Sequence, residues 1–222
     1  MKYLDYEKAF SQARLNKYLK ACGNDSIAAL TLYRHNIKLC QKFYGVLSVF
    51  EVILRNAINE HYKALLSDPD WIRHQLVTGG ILENHPQRFS VDNTIAELDN
   101  TGQYTNDRVV SSVTFGFWTH LFSRRPFLLG GQSLLQVFPS RTRGLGQRAI
   151  YNDLQMIKSF RNRIAHHEAI CFDSTGAIST TPARNSYALT IKYVQFLGYP
   201  ETHLYYGLDV LPDKILMKID TL

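Results

Sequence analysis

The chain has 222 residues, 45% of them apolar and 20% charged, which is enough to bury a core in one domain or two small ones and excludes a disordered tail. Thirteen glycines, seven prolines and no single-residue tract likewise exclude collagen-like, linker-like and repeat proteins. Lys plus Arg number 25 against 19 for Asp plus Glu, a net charge of +6 that favours a polyanionic partner, nucleic acid before membrane surface, because bound phosphates release counterions.

The first segment, MKYLDYEKAF, alternates charged and apolar residues and reads as the start of a helix rather than a secretion signal. From Tyr6 to Ala21 apolar residues recur at Phe10, Ala13, Leu15, Tyr18 and Leu19, and Gly23 follows where a helix-ending glycine is favoured. A longer periodic stretch runs from Ser26 to Leu66 through Ile27, Leu30, Tyr33, Phe43, Val46, Phe50, Leu54 and Ile58. It is either one helix or two divided at Gly45, and the capping box spelled by Ser48 and Glu51 favours the break. Trp71 to Val77 suits a short helix, Gly79-Gly80 a turn, and Thr94-x-x-Glu97 a second capping box before a helix ending near Gly102. Between Val113 and Phe138 aromatic and aliphatic residues crowd together as core, cut into short helices by Pro126 and Gly130-Gly131. A long amphipathic helix follows from about Leu145 to Ala165, with Ile150, Leu154, Ile157, Phe160 and Ile164 on its apolar face. Residues 171–182 read as a loop with room for a small hairpin around Ser174-Thr175-Gly176, and helices over Tyr187–Leu197 and Lys214–Ile219 close the chain.

With no alternating strand series and no βαβ rhythm, the pattern predicts an all-α bundle in a single domain spanning 1–222. Cys22, Cys40 and Cys171 form no C-x-x-C pair, so neither a disulfide framework nor a four-cysteine zinc site is supported, and a reducing compartment, the cytoplasm, is expected. No stretch approaches the roughly 18 apolar residues that would span a bilayer, so no membrane partner is expected.

The densest polar cluster closes the long amphipathic helix: Arg161-Asn162-Arg163-Ile164-Ala165-His166-His167-Glu168. Arg161 and His166 lie roughly 140° apart around a helical axis, so they share no narrow stripe, although long side chains at a fraying helix end can still converge. Arginine supplies a permanent forked cation for a phosphodiester oxygen, and histidine a proton that comes and goes near neutral pH. The imidazole can take a proton from a ribose 2′-OH or give one to the departing 5′-oxygen, while guanidinium stabilises the charge of the pentavalent transition state. One histidine cannot readily do both in one step, and a two-fold dimer that sets two such helix ends face to face would supply two. The plainer alternative is that the cluster decorates a helix C-terminus, where the dipole favours cations.

Arg-x4-His at the end of a long helix resembles the R-x4-to-6-H motif of the HEPN superfamily, and RNRIAHHE is similar to the Abi, or abortive-infection, branch. Two further blocks in the same order carry the resemblance, LYRHNIKLCQKFYGVLSVFEVILRNAINEHY from Leu32 to Tyr62 and TFGFWTHLFSRR from Thr114 to Arg125, so that it covers residues 25–170. It implies a HEPN-type helical bundle, a homodimer, and a metal-independent endoribonuclease acting in phage defence or as a toxin, in some relatives paired with a structured noncoding RNA as antitoxin. Such a pairing leaves open a noncoding-RNA-binding protein whose nuclease is silent or conditional. By position, Arg161 and His166 match the catalytic pair and Asn162 the polar residue that follows the arginine, while His167 and Glu168 continue the string, either to tune or orient His166 or as plain solvent-exposed residues. Glu51, Arg55 and Asn59 are spaced by four, which by itself describes an ordinary ion-pair stripe. Within the family block, E-x-x-x-R-N favours Glu51, Arg55 and Asn56 as residues that line the cleft or hold its helix.

Arg141, Arg143, Arg148, Lys158 and Arg163, with Arg124 and Arg125 in the preceding block, could follow an RNA backbone or form a solvated face. Gly144-Leu145-Gly146-Gln147-Arg148-Ala149 reads G-x-G-x-x-A but follows no hydrophobic strand, so a dinucleotide turn is rejected. His166, His167 and Cys171 lack a second spaced ligand pair, so no metal and no other cofactor is expected.

Overall fold

The computed structural model describes residues 3–222; Met1 and Lys2, at the head of the first expected helix, lie outside them. The described chain is all-α. Its helices are α1 (Tyr3–Phe10), α2 (Gln12–Ala21), α3 (Ser26–Leu66), α4 (Trp71–His74), α5 (Arg88–Asn100), α6 (Asn106–Ser112), α7 (Phe115–His120), α8 (Arg124–Leu129), a 3-10 turn at Leu134–Val137, α9 (Gln147–Ala165), α10 (Thr181–Phe196), α11 (Glu201–Leu204) and α12 (Asp213–Asp220). The hairpin anticipated over 171–182 reduces to one antiparallel bridge between Phe172 and Ile178, because Asp173 folds the intervening residues into a tight turn by accepting from the Thr175 and Ala177 backbone N–H groups.

The chain forms two compact units. Unit one comprises Met1–Ser48, Ser159–Thr190 and Tyr205–Leu222, and unit two comprises Val49–Lys158 and Ile191–Leu204, so α3, α9 and α10 each contribute residues to both. In unit one Leu15, Tyr18, Leu32, Tyr33, Phe43, Phe160 and Phe172 are buried. Tyr18 meets Tyr33 and Phe172 edge-on at 5.2 and 5.3 Å between ring centres, and Phe43 meets Phe160 at 5.0 Å, geometries that add to the area each ring buries. Unit two is centred on Tyr62, Trp71, Phe117 and Trp118, all buried. There Asn59 Oδ1 accepts from the Trp71 indole at 3.0 Å and from Asn106 Nδ2 at 3.3 Å, which makes Asn59 a core tie for α3 rather than a member of an exposed charged stripe.

Several boundaries differ from the sequence expectation for local reasons. The first helix is two, because Ser11 takes a left-handed φ of 70° and its side chain accepts from Arg14 N–H to cap α2. α3 is unbroken across Gly45 and Ser48: a Cβ on Gly45 would lie 2.7 Å from Val210 Cγ1, so that glycine permits a close approach and ends nothing. Thr94 sits in mid-helix, where its hydroxyl donates back to the Ser90 carbonyl at 3.0 Å, and α5 starts earlier, at Arg88. Pro126 lies inside the first turn of α8, where its missing N–H has no partner to lose, so the break falls before it rather than at it.

Candidate active site

The candidate site is the C-terminal end of α9, in unit one. Phe160 and Ile164 are buried and fix the inward face of this last stretch. Arg161, about 100° from Phe160, falls half-buried at the edge of that face, whereas Asn162 and His166 are exposed. His166 N–H still donates to the Asn162 carbonyl at 2.9 Å, so its backbone belongs to the helix and its imidazole to solvent. Arg161 and His166 are separated by roughly 7 Å of rise along α9.

The helix is stopped by a two-bond cap. His167 N–H donates to the Ile164 carbonyl at 3.0 Å and Glu168 N–H to the Arg163 carbonyl at 2.8 Å, with His167 left-handed at φ 57°. This is a Schellman arrangement in which histidine occupies the position usually given to glycine. The side chains over the cap, which often make an apolar contact, here form an ion pair of Arg163 Nε with Glu168 Oε2 at 3.5 Å. Arg163 also donates to the Ala169 carbonyl. Its guanidinium therefore holds the cap together, with Glu168 as its partner.

Two residues that sequence reasoning passed over secure the same end. Arg14 of α2 donates from Nη1 to the His167 carbonyl at 2.8 Å. Asn36, buried on α3, accepts from Ile170 N–H at 2.8 Å. Asn36 interrupts the buried stripe of Leu32, Tyr33, Leu39 and Phe43, and a lone amide in such a stripe is the signal that could have identified it, since buried polar groups require partners. Beside the cap lies an open cavity of about 660 Å³, walled by Phe10, Arg14, Tyr33, Tyr44, Ile164 and His167. Tyr44 is 64% exposed and Phe10 40%. The cavity wall also holds Cys40, whose thiol is pushed up to about 11 by burial and is therefore a weak nucleophile at neutral pH.

Glu51, Arg55 and Asn56 belong to unit two. Glu51 and Arg55 are half-buried and Asn56 is exposed, and Arg55 Nε donates to Asn56 Oδ1 at 3.3 Å. The remaining cations serve different tasks. Arg141 donates to the Leu135 carbonyl at 3.0 Å, and Arg125 pairs with Glu83 at 2.8 Å. Lys158 is half-buried, and its charge helps to hold the His120 imidazole below its ordinary range, behind the larger effect of burial. Arg143 is exposed on the approach to α9. Arg124 and Arg148, also exposed, wall one cavity of unit two.

Among the described residues, no three His, Cys, Asp or Glu side chains gather as a metal centre would require. Nor is any helix among them long and apolar enough to cross a membrane. The chain matches no protein-family model, no characterised protein and no solved structure.

Proposed function

We propose that the protein is a metal-independent endoribonuclease of the HEPN type, an Abi-like enzyme of phage defence that works in the cytoplasm as a homodimer. The observation that carries this reading is the end of α9, where an exposed imidazole, His166, follows a half-buried guanidinium, Arg161, on a backbone fixed by its cap, by Arg14 and by Asn36. A fixed backbone with a free ring is what general acid–base work needs, because the ring reaches substrate without the helix end moving.

In the proposed reaction the ribose 2′-oxygen attacks the adjacent phosphorus as an imidazole accepts the 2′-OH proton. The bond from phosphorus to the 5′-oxygen breaks as a second, protonated imidazole delivers a proton to it. The products are a 2′,3′-cyclic phosphate and a 5′-hydroxyl end, and Arg161 stabilises the added negative charge between these states. The two imidazoles come from His166 of two copies. Asn162 beside Arg161 has an amide suited to a phosphate oxygen.

The His166 ring is exposed, and one ring per copy serves only one of the two proton transfers, so activity is conditional on a second copy. The test is cleavage of single-stranded RNA in the presence of EDTA. The parent is expected to leave cyclic-phosphate ends, and His166→Ala and Arg161→Ala are expected to cut at least about 100-fold more slowly while sedimenting and melting like the parent. Equal cutting by His166→Ala and the parent would sink the mechanism. A discrete uncut transcript that copurifies with the parent and survives both substitutions would mark the noncoding-RNA-binding reading as the correct one.

A further inference from the structure

Unit two contains an open cavity of about 830 Å³, within the roughly 300–1,000 Å³ range of small-molecule sites. Arg124, which opens α8, and Arg148, in the first turn of α9, both stand in its wall, and no acidic side chain lines it. Neither guanidinium makes a hydrogen bond or ion pair among the described residues, whereas Arg125 next door is paired with Glu83. Two like charges sharing one concavity without a counter-charge repel each other until an anion enters. The first turn of α9 adds no acidic residue to compensate its positive end. The rest of the wall is of a different kind: the half-buried ring of Tyr151, the buried ring of Phe127, and the amides of Gln132 and Asn152.

We propose that this cavity binds a phosphorylated nucleoside, either free or as a residue of an RNA chain. Arg124 and Arg148 clasp the phosphate oxygens, as forked donors do. The base lies against Tyr151, and the amides of Gln132 and Asn152 meet its polar edge. The site lies wholly in unit two and needs neither Arg161 nor His166, so a His166→Ala protein retains it.

The experiment is calorimetric titration of the full chain with ATP, AMP, adenosine and inorganic phosphate, and anisotropy titration with a fluorescently labelled single-stranded RNA, at fixed salt. The double variant Arg124→Ala/Arg148→Ala is compared with Lys214→Ala, which removes one exposed charge outside the cavity. ATP and AMP are expected to bind, adenosine and phosphate about tenfold or more weakly, and the double variant to lose about 100-fold, tenfold for each charge-assisted contact. Tyr151→Leu should erase the advantage of AMP over inorganic phosphate while leaving phosphate binding in place, and it gives an independent reading should the double variant fold poorly. A loss confined to RNA, with no binding of ATP or AMP, identifies the RNA chain as the source of the nucleotide. Affinities that stay within about twofold of the parent for every probe in the double variant, or a loss of the same size in Lys214→Ala, overturn the proposal.

Discussion

His167 shows how much of the candidate site is a backbone matter. A left-handed residue with a Cβ costs about 1–2 kcal/mol relative to the right-handed form, and glycine there costs part of that back through the freedom it has when unfolded. His167→Gly should therefore stabilise the protein by roughly 0.5–1 kcal/mol, a rise of about 1–4 °C in Tm at this chain length, as read by thermal unfolding. The same variant separates two roles for the residue. If His167 serves only to turn the chain, RNA cleavage is expected to persist at the parent rate, whereas a fall in cleavage beside a raised Tm assigns the ring a part in the chemistry. The neighbouring histidine has no such backbone duty, since His166 keeps a helical hydrogen bond to Asn162 and presents its ring to solvent. Sequence alone shows two adjacent histidines; the left-handed φ of the second is what tells them apart.

At the scale of elements, helix periodicity was legible wherever an apolar stripe was long, and the all-α class and the span of α9 follow from it. Small polar and glycine residues were not legible, because one residue type serves opposite purposes. Gly45 and the Ser48–Glu51 pair looked like a stop, yet α3 runs through both for 41 residues, and the glycine's purpose lies in Val210, 165 positions away in sequence. Gly45→Ala gains about 1 kcal/mol of helix propensity but drives a Cβ to within 2.7 Å of a stiff β-branched side chain. Overpacking of this kind costs about 1–3 kcal/mol, so net destabilisation is expected in urea unfolding. Adding Val210→Ala, which removes the obstructing methyl, should recover part of the loss. The same ambiguity hid Ser11, which breaks the first helix to cap the second, and Thr94, whose hydroxyl bonds within a helix that had already begun. Arg14 and Asn36 were invisible for another reason: their partners, the His167 carbonyl and Ile170 N–H, are backbone groups whose position only the fold supplies.

For the whole molecule, pH dependence between about 4 and 6.5 is governed by buried imidazoles. His85, 4% exposed, is lowered from 6.5 to about 4 by burial, with the nearby His120 adding to the effect and its bond to the Phe117 carbonyl opposing it. Its Nδ1 accepts from Gln87 N–H at 3.1 Å and Nε2 faces the Phe117 carbonyl at 3.2 Å, so protonation of Nδ1 removes an acceptor that the fold uses. The folded-state value lies below the unfolded one. The stability this provides is thus complete above pH 6.5 and is lost as the pH falls towards 4, by roughly 3 kcal/mol. His61 and His120, also lowered with burial as the largest cause, act in the same direction. Urea midpoints should fall steadily from pH 7 to pH 4.5, and less so in His85→Gln; a flat profile would contradict the assignment. The lowered carboxyls of Asp173 and Asp220 contribute only further down, since what they add is present above their ordinary value of 3.8.

The interleaving of the two units also bears on how the protein is born. A chain leaving the ribosome carries Met1–Ser48 first, but those residues share their unit with Tyr205–Leu222. The helix end bearing Arg161 and His166 therefore leaves the ribosome well before Tyr205–Leu222, the last segment of its unit, can join it.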